Sequence, residues 1–116
     1  MSDREIENKV SHLLARMTLA EKLGQLQQLD GTWDGDVRPE QIKLAREGLL
    51  GSAIYVYGAR RTTELQRVAM TESKLKIPIL FAFDVVHGYR TIFPVPLGEA
   101  ASWDPAVVEQ ADSIAA

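Results

Sequence analysis

The sequence alternates between helical and strand-type segments, and this alternation restricts the fold more than any other feature. Segments with the character of strands lie at 25–29, 52–57 and 79–83, about 25 residues apart. Amphipathic stretches at 39–47 and 62–76 separate them. Because a strand, a helix and a second strand of this spacing form a right-handed crossover, neighbouring strands run parallel. The sequence therefore predicts an α/β protein with about three parallel strands and flanking helices.

Residue types at the segment ends support these boundaries. Ser2 and Thr18 are each followed three residues later by Glu, a spacing that predicts a helix start at both places. Gly24 and Gly48 can end helices in the left-handed conformation. The run at 79–83 is continuously apolar, which is typical of a parallel strand buried on both faces. A loop follows it to residue 103, and Asp104 then precedes a last helix.

Two closed architectures contain such a sheet, the doubly wound sheet and the (β/α)₈ TIM barrel. The nucleotide-binding sheet has a glycine-rich turn after its first strand, and the residues at 30–32, Asp-Gly-Thr, do not match it. The barrel needs eight strands and about 250 residues, whereas the chain has 116. The helical pattern at the C-terminus also lacks a stop signal. We therefore expect residues 1–116 to be the N-terminal segment of a TIM barrel, truncated at the C-terminus, with a small complete α/β binding domain as the alternative.

Composition and charge restrict the partners. The chain has 13 Lys and Arg against 16 Asp and Glu, a net charge of -3, so we expect no nucleic-acid partner. The absence of cysteine excludes disulfides and thiolate metal sites, and we expect neither a metal nor a cofactor. No apolar run approaches the ~20 residues of a membrane span, and the first residues are not a signal peptide. We expect a cytoplasmic protein without a membrane partner, although a periplasmic or secreted parent with a removed leader would have the same sequence.

Candidate functional residues are those that follow the predicted strands, because ligands of parallel α/β folds meet the carboxyl ends of the strands. Asp84 follows 79–83 directly, and its carboxylate can accept hydrogen bonds from neighbouring sugar hydroxyls or from nearby backbone amides. His87 can fasten the same loop by hydrogen bonds; with Asp84 alone it does not make a zinc site. Trp33, after the first strand together with Asp30, can stack on a sugar or cover the barrel end. Tyr57 stands at the end of the second strand.

Other polar residues give weaker indications. Arg60 and Arg61 are expected to be a solvated pair, since cations are not favoured near a helix start. No Ser or Thr has a persuasive base nearby, so nucleophilic acyl transfer has little support.

Five segments together are similar to glycoside hydrolase family 3, and most of all to its bacterial β-glucosidases. The likeness extends over nearly the whole chain, in the order of the family. The segments are RMTLAEKLGQ at 16–25, GS at 51–52, KIPILFAFDVVHG at 76–88, TIFP at 91–94 and AASWDP at 100–105.

This resemblance implies an N-terminal (β/α)₈-type domain followed by an α/β sandwich domain. It also implies retaining hydrolysis of β-glucosides through a covalent glycosyl-enzyme. Asp84 matches the aspartate that binds hydroxyls of the innermost glucose, and His87 belongs to the turn that follows. These residues and Trp33 are the substrate-binding candidates, and none is catalytic.

By the family's pattern, the nucleophile and the acid/base residue lie beyond Ala116. The resemblance therefore implies a parent that takes β-glucosides or cello-oligosaccharides, and a 116-residue chain that is inactive alone. The alternatives are a self-associating fragment, forming a homo-oligomer through exposed strand edges and apolar faces, and a non-catalytic sugar-binding module.

Overall fold

The computed structural model describes residues 2–115, which divide into one unit up to Phe83 and a second unit from Asp84. The first unit contains four helices and three strands, and the second contains two helices. The elements of the first unit are α1 Asp3–Arg16, α2 Leu19–Gly24, β1 Gln28–Asp30, α3 Pro39–Glu47, β2 Ser52–Ile54, α4 Ala59–Thr71 and β3 Leu80–Ala82. Those of the second are α5 Pro96–Ala100 and α6 Pro105–Ala115.

The three strands form one parallel sheet in the order β1-β2-β3. The register aligns Leu29, Ala53 and Phe81 in one row. Since side chains alternate between the faces of a sheet, this row points to one face and its neighbouring rows to the other. The predicted α/β class with three parallel strands and flanking helices is confirmed.

The hydrophobic core lies between this row and the helices α3 and α4. Ala53 at the centre of the sheet and Leu65 on α4 are both fully buried, with 0% exposure. Leu29 and Phe81 pack against the same core from the outer strands. The predicted apolar spacing of the second crossover helix is confirmed, because Leu65, Val68 and Ala69 are all buried.

The opposite face of the sheet is more exposed, which corrects the prediction for β3. Leu80 is 73% exposed and Ala82 is also exposed, so β3 is buried on one face only. A central strand of a parallel sheet has neighbours on both sides, but β3 pairs with β2 alone among the described strands. The apolar run at 79–83 predicted burial on both faces, and this sheet buries β3 only on the face that packs against the helices.

The strands are shorter than predicted, for local reasons. Gln25 caps α2 by donating its backbone N–H to Glu21 O, and Leu26 and Gln27 continue this turn, so β1 begins only at Gln28. Tyr55 has a left-handed φ of 59°, which ends β2 at Ile54. Gly24 does not end its helix in the left-handed conformation. It lies inside α2, where an added Cβ would stand 2.5 Å from Leu49 Cα.

Helix α4 begins and ends earlier than predicted. Gly58 is its N-cap residue, and Thr71 is its last residue. The Ser73 hydroxyl donates to Ala69 O at 2.6 Å and accepts the Lys76 N–H at 3.1 Å. The side chain thereby replaces the next helical hydrogen bonds, which explains the early end.

Predicted ends of four other helices agree with the structure. Both capping boxes form; the Thr18 N–H donates to the Glu21 carboxylate at 2.7 Å. Gly48 ends α3 with a left-handed φ of 74°. Asp104 accepts the Ala106 N–H at 3.0 Å at the start of α6. Helix α5 lies within the segment predicted as loop.

Helix α1 carries an apolar stripe that the first unit does not cover. Ile6, Val10 and Leu14 are between 41 and 46% exposed, and no residue of α1 is buried. Within residues 2–115, no helix combines the length and the apolar character needed to cross a membrane.

Candidate functional site

A cleft of about 520 Å³ lies in the first unit, where the chain leaves the carboxyl ends of the strands. The segments after β1 and β2 and the last residue of the unit supply most of its wall. The lining residues are Asp30, Gly31, Thr32, Trp33, Arg38, Tyr55, Tyr57 and Phe83. Sequence reasoning placed Asp30, Trp33 and Tyr57 at strand ends, and the structure brings these three residues to one cleft.

A larger cavity of about 850 Å³ lies in the second unit. Its lining comes from α5, α6 and the turn between them, including Trp103, and no strand end contributes to it. Ligand sites of parallel α/β folds are built at strand ends. The smaller cleft is therefore the candidate site.

Three aromatic rings form one side of the cleft. Phe83 follows β3 and meets Tyr55 edge to face, with centroids 5.4 Å apart and an interplanar angle of 85°. Tyr57 meets the same ring at 5.5 Å and 76°. Such edge-to-face pairs favour fixed ring positions. Sequence reasoning did not select Tyr55 or Phe83 for the site, although both stand at strand ends.

Arg38 also lines the cleft and is hydrogen-bonded to the end of β1. Its guanidinium donates to the Asp30 carboxylate at 2.9 Å, and its Nε donates to the Asp30 carbonyl at 3.0 Å. It also donates to the Gly31 carbonyl at 2.9 Å. Three hydrogen bonds fix this planar group against the end of β1, and the Asp30 carboxylate that takes one of them remains 61% exposed and can still accept bonds from a ligand.

Between Asp30 and Arg38 the chain forms a tight turn centred on Thr32. Gly35 donates its N–H to Thr32 O at 2.8 Å, and the Thr32 N–H donates to Asp36 O at 2.9 Å. The Thr32 hydroxyl also hydrogen-bonds the Asp34 carboxylate, and this bond is the main reason that the pKa of Asp34 lies below its usual range. The turn is therefore ordered by its own polar groups.

Trp33 stands at the tip of this turn with its side chain fully exposed, at 102% of the reference area. Tryptophan is highly buried on average, so an indole in this position on an ordered turn indicates a contact surface. Both roles predicted for Trp33, stacking on a sugar and covering the barrel end, would use such a surface.

Arg61 is not a solvated residue, and that prediction is wrong. Its side chain is only 25% exposed, and its Nε lies 3.3 Å from the Asp36 carboxylate. Its Nη1 donates to Asp34 O at 2.9 Å. The general preference against cations near a helix start is overcome because the two acidic residues lie beside the start of α4.

Asp84 and His87 belong to the second unit and are described within it. Both residues are exposed. The Asp84 carboxylate accepts the Val86 N–H at 3.3 Å, a bond of the kind expected for a residue that caps backbone amides. His87 fastens its loop through its carbonyl oxygen, which accepts the Phe93 N–H at 2.7 Å. Across residues 2–115, no group of three or more His, Asp or Glu side chains is arranged to hold a metal ion.

Comparison with known proteins identifies the family. The model described as the glycosyl hydrolase family 3 N-terminal domain matches residues 18–116. The chain belongs to glycosyl hydrolase family 3. The resemblance carried by the five sequence segments is confirmed.

Two proteins to which the chain is similar are β-glucosidases by name. The chain is 35% identical over 109 residues to the periplasmic β-glucosidase of Salmonella typhimurium, covering 92% of this chain and 14% of that protein. It matches the β-glucosidase of Listeria innocua solved with glucose at a TM-score of 0.64 and 30% identity, covering 84% of this chain and 15% of that one. The isofagomine complex of the same enzyme matches at 0.65 and 32%, covering 90% and 14%.

These matches confirm the fold class for this family 3 chain, a segment of a (β/α)₈-type barrel with three parallel strands. The chain spans 14 to 15% of the length of these relatives. The cytoplasmic location stays a prediction, and one relative carries the word periplasmic in its name.

Proposed function

We propose that residues 1–116 are the N-terminal segment of the barrel domain of a β-glucosidase, and that they supply substrate-binding groups to it. The parent removes terminal non-reducing β-D-glucosyl residues from β-glucosides or cello-oligosaccharides with retention. The observation that carries the proposal is the family match over residues 18–116, together with a cleft at the strand ends of the same segment. The Listeria enzyme, similar in fold, was solved with glucose.

Trp33, Asp84 and His87 are the residues to which we assign substrate contact. An exposed indole offers an apolar face of the kind on which a pyranose ring stacks. The Asp84 carboxylate accepts hydrogen bonds at both oxygens and can hold two neighbouring hydroxyls. By resemblance to the family, Asp84 holds the innermost glucose and does not attack it, and His87 contributes to the turn that follows.

The isolated chain binds but does not hydrolyse. Retaining hydrolysis needs one carboxylate as nucleophile and a second as acid and base, about 5 Å apart across the glycosidic bond. Neither role is assigned to a residue of this chain. Purified 116-residue protein, assayed with an aryl β-glucoside, is expected to release aryl alcohol no faster than buffer. Release well above buffer that Asp84→Ala abolishes would contradict this proposal.

Binding is tested by ligand-observed NMR with phenyl β-glucoside. Asp84→Asn retains an oxygen for the Val86 N–H but loses the negative charge, so the affinity should fall about tenfold. Asp104→Asn is the matched control, because Asp104 also accepts an N–H two residues on, at 3.0 Å, and does not follow a strand in the chain. Equal effects of the two substitutions would contradict the assignment of Asp84.

A second candidate function is self-association, and the exposed sheet face favours it. Leu80 is 73% exposed on β3, the outer strand next to β2, and open strand edges can pair with another chain. Light scattering of the unsubstituted 116-residue chain over a tenfold concentration range should show a mass that rises with concentration. Leu80→Lys should reduce that mass; a monomer at every concentration would exclude this candidate.

A further inference from the structure

We propose that Arg61 is a positioning residue: it fixes the Trp33 loop, residues 31–37, so that the indole is presented to a saccharide in one orientation. The inference rests on the proposed function, since it gives the loop a saccharide to bind. It adds a residue from outside the cleft lining to the binding apparatus.

The contacts of Arg61 lie on the C-terminal side of the loop tip, at Asp34 and Asp36. One guanidinium nitrogen donates to the Asp34 carbonyl at 2.9 Å, and another lies 3.6 Å from the Asp34 carboxylate. Nε lies 3.3 Å from the Asp36 carboxylate. A planar guanidinium holds these three oxygens with donors at fixed positions on separate nitrogens, whereas an ammonium has its donors on one rotating nitrogen.

Arg61 also opposes the charge that the loop concentrates. Asp34 and Asp36 flank Gly35 on a tight turn, so their carboxylates repel each other unless a cation lies between them. Among the described residues, no group of three or more acidic or histidine side chains could hold a metal ion here. The guanidinium of Arg61 supplies the positive charge. Because Arg61 stands on the first turn of α4, the loop is tied to a rigid element.

Trp33 lies directly between Thr32 and Asp34, so an ordered backbone at these two positions fixes the direction of the Trp33 Cα–Cβ bond and limits the positions that the indole can reach. A mobile loop must be ordered when it binds, and this lowers the affinity; a preorganised one avoids that loss. The effect expected from removing Arg61 is therefore a weaker saccharide affinity, by about two- to tenfold.

Mobility of Trp33 gives a readout that does not need a saccharide. The chain contains two tryptophans, so Trp103→Phe leaves Trp33 as the single reporter for time-resolved fluorescence anisotropy. In this background Arg61→Ala should increase the amplitude of fast indole motion. Arg60→Ala is the matched control: Arg60 is exposed and makes no ion pair with any residue among 2–115. Arg61→Lys should restore only part of the order.

Affinity is measured in the same background by Trp33 emission on titration with cellobiose. Arg61→Ala should raise the Kd about two- to tenfold, and Arg60→Ala should leave it unchanged. Far-UV circular dichroism checks the fold of each variant. If Arg61→Ala fails to fold, Asp36→Asn is used instead. It removes the negative charge that pairs with Arg61 and keeps an oxygen for the Val37 N–H.

The outcomes separate the two proposals. Unchanged Trp33 motion in folded Arg61→Ala, or in Asp36→Asn where that variant replaces it, overturns the positioning role. An unchanged Kd alongside faster motion overturns the claim that this order serves binding. Faster motion in a chain whose emission never responds to cellobiose supports the positioning of the loop and overturns the assignment of Trp33 to saccharide.

Discussion

Substitution of Gly35 by alanine tests whether the turn after β1 and the aromatic side of the cleft are built as one piece. Gly35 has a φ of +78°, in the left-handed region that an L-residue with a Cβ disfavours by about 1–2 kcal/mol. An added Cβ would also stand 2.3 Å from Tyr57 Cε1 and 2.4 Å from Tyr57 Cζ. To reach ordinary van der Waals contact the nearest ring atom must move by about 1.2–1.7 Å.

Gly48 supplies a control with the same backbone conformation and no such neighbour. Its φ is +74°, and an added Cβ would meet nothing within 4 Å. Both substitutions reduce the freedom of the unfolded chain equally, so the difference between them isolates the contact with Tyr57. Displacing Tyr57 weakens its edge-to-face contact with Phe83, which is worth about 0.5–1.5 kcal/mol.

We therefore expect Gly48→Ala to lower the free energy of unfolding by about 1–2 kcal/mol. Gly35→Ala should lower it by about 0.5–1.5 kcal/mol more. Urea titration followed by far-UV circular dichroism measures both values, and near-UV circular dichroism reports the tyrosine environment. A loss in Gly35→Ala no greater than that in Gly48→Ala, with an unchanged near-UV spectrum, would refute the reasoning.

Three further predictions concern the core and the charged groups. Leu65→Ala should cost about 2–5 kcal/mol in urea titration, because Leu65 is fully buried, whereas Leu80→Ala at a 73% exposed position should cost under about 1 kcal/mol. The pKa of Asp34 is lower folded than unfolded, so its contribution is present above about pH 4 and is lost as pH falls through the folded pKa; Asp34→Asn should flatten the urea midpoint against pH in this range. The Arg46 hydrogen bond is the main cause of the lowered pKa of Glu72, and Arg46→Gln should raise that pKa, as NMR titration of the carboxyl carbon would show.

Periodicity and capping residues predicted the elements well, because both depend on near neighbours in the chain. The helix from Pro39 to Glu47 has its predicted bounds, and its stop at Gly48 follows from one residue's conformation. Strand ends were less predictable. The left-handed φ of Tyr55 ends β2, and no local residue type indicates it. The prediction that β3 is buried on both faces was also wrong. The exposure of Leu80 depends on what packs beside the sheet, and the local sequence does not determine that.

Residues of the candidate site could be predicted where they follow a strand, because ligands of parallel α/β folds meet the carboxyl ends of the strands. That rule placed Asp30, Trp33 and Tyr57 at one edge, and the cleft contains all three. Arg61 was missed because its partner Asp34 is 27 residues away in the chain. A usable signal was present: two aspartates around a glycine after one strand, and an arginine at the helix start after the next strand. Loops that follow neighbouring parallel strands meet, so opposite charges there should be tested as pairs.

One face of the sheet packs against the hydrophobic core, and the other face leads to the proposed binding groups. On the helix side, Leu29, Ala53 and Phe81 close against a core of the chain's own residues. On the other side, the row of Asp30, Ile54 and Ala82 leads to the turn and cleft that carry the binding candidate Trp33. A protein that uses this second face for a saccharide needs its side chains placed before the ligand arrives, and here Arg38 and Arg61 do so from the starts of α3 and α4. Rigidity of the cleft therefore depends on two helices whose own stability comes from the opposite face, so substitutions in the buried core should weaken saccharide binding without touching the cleft.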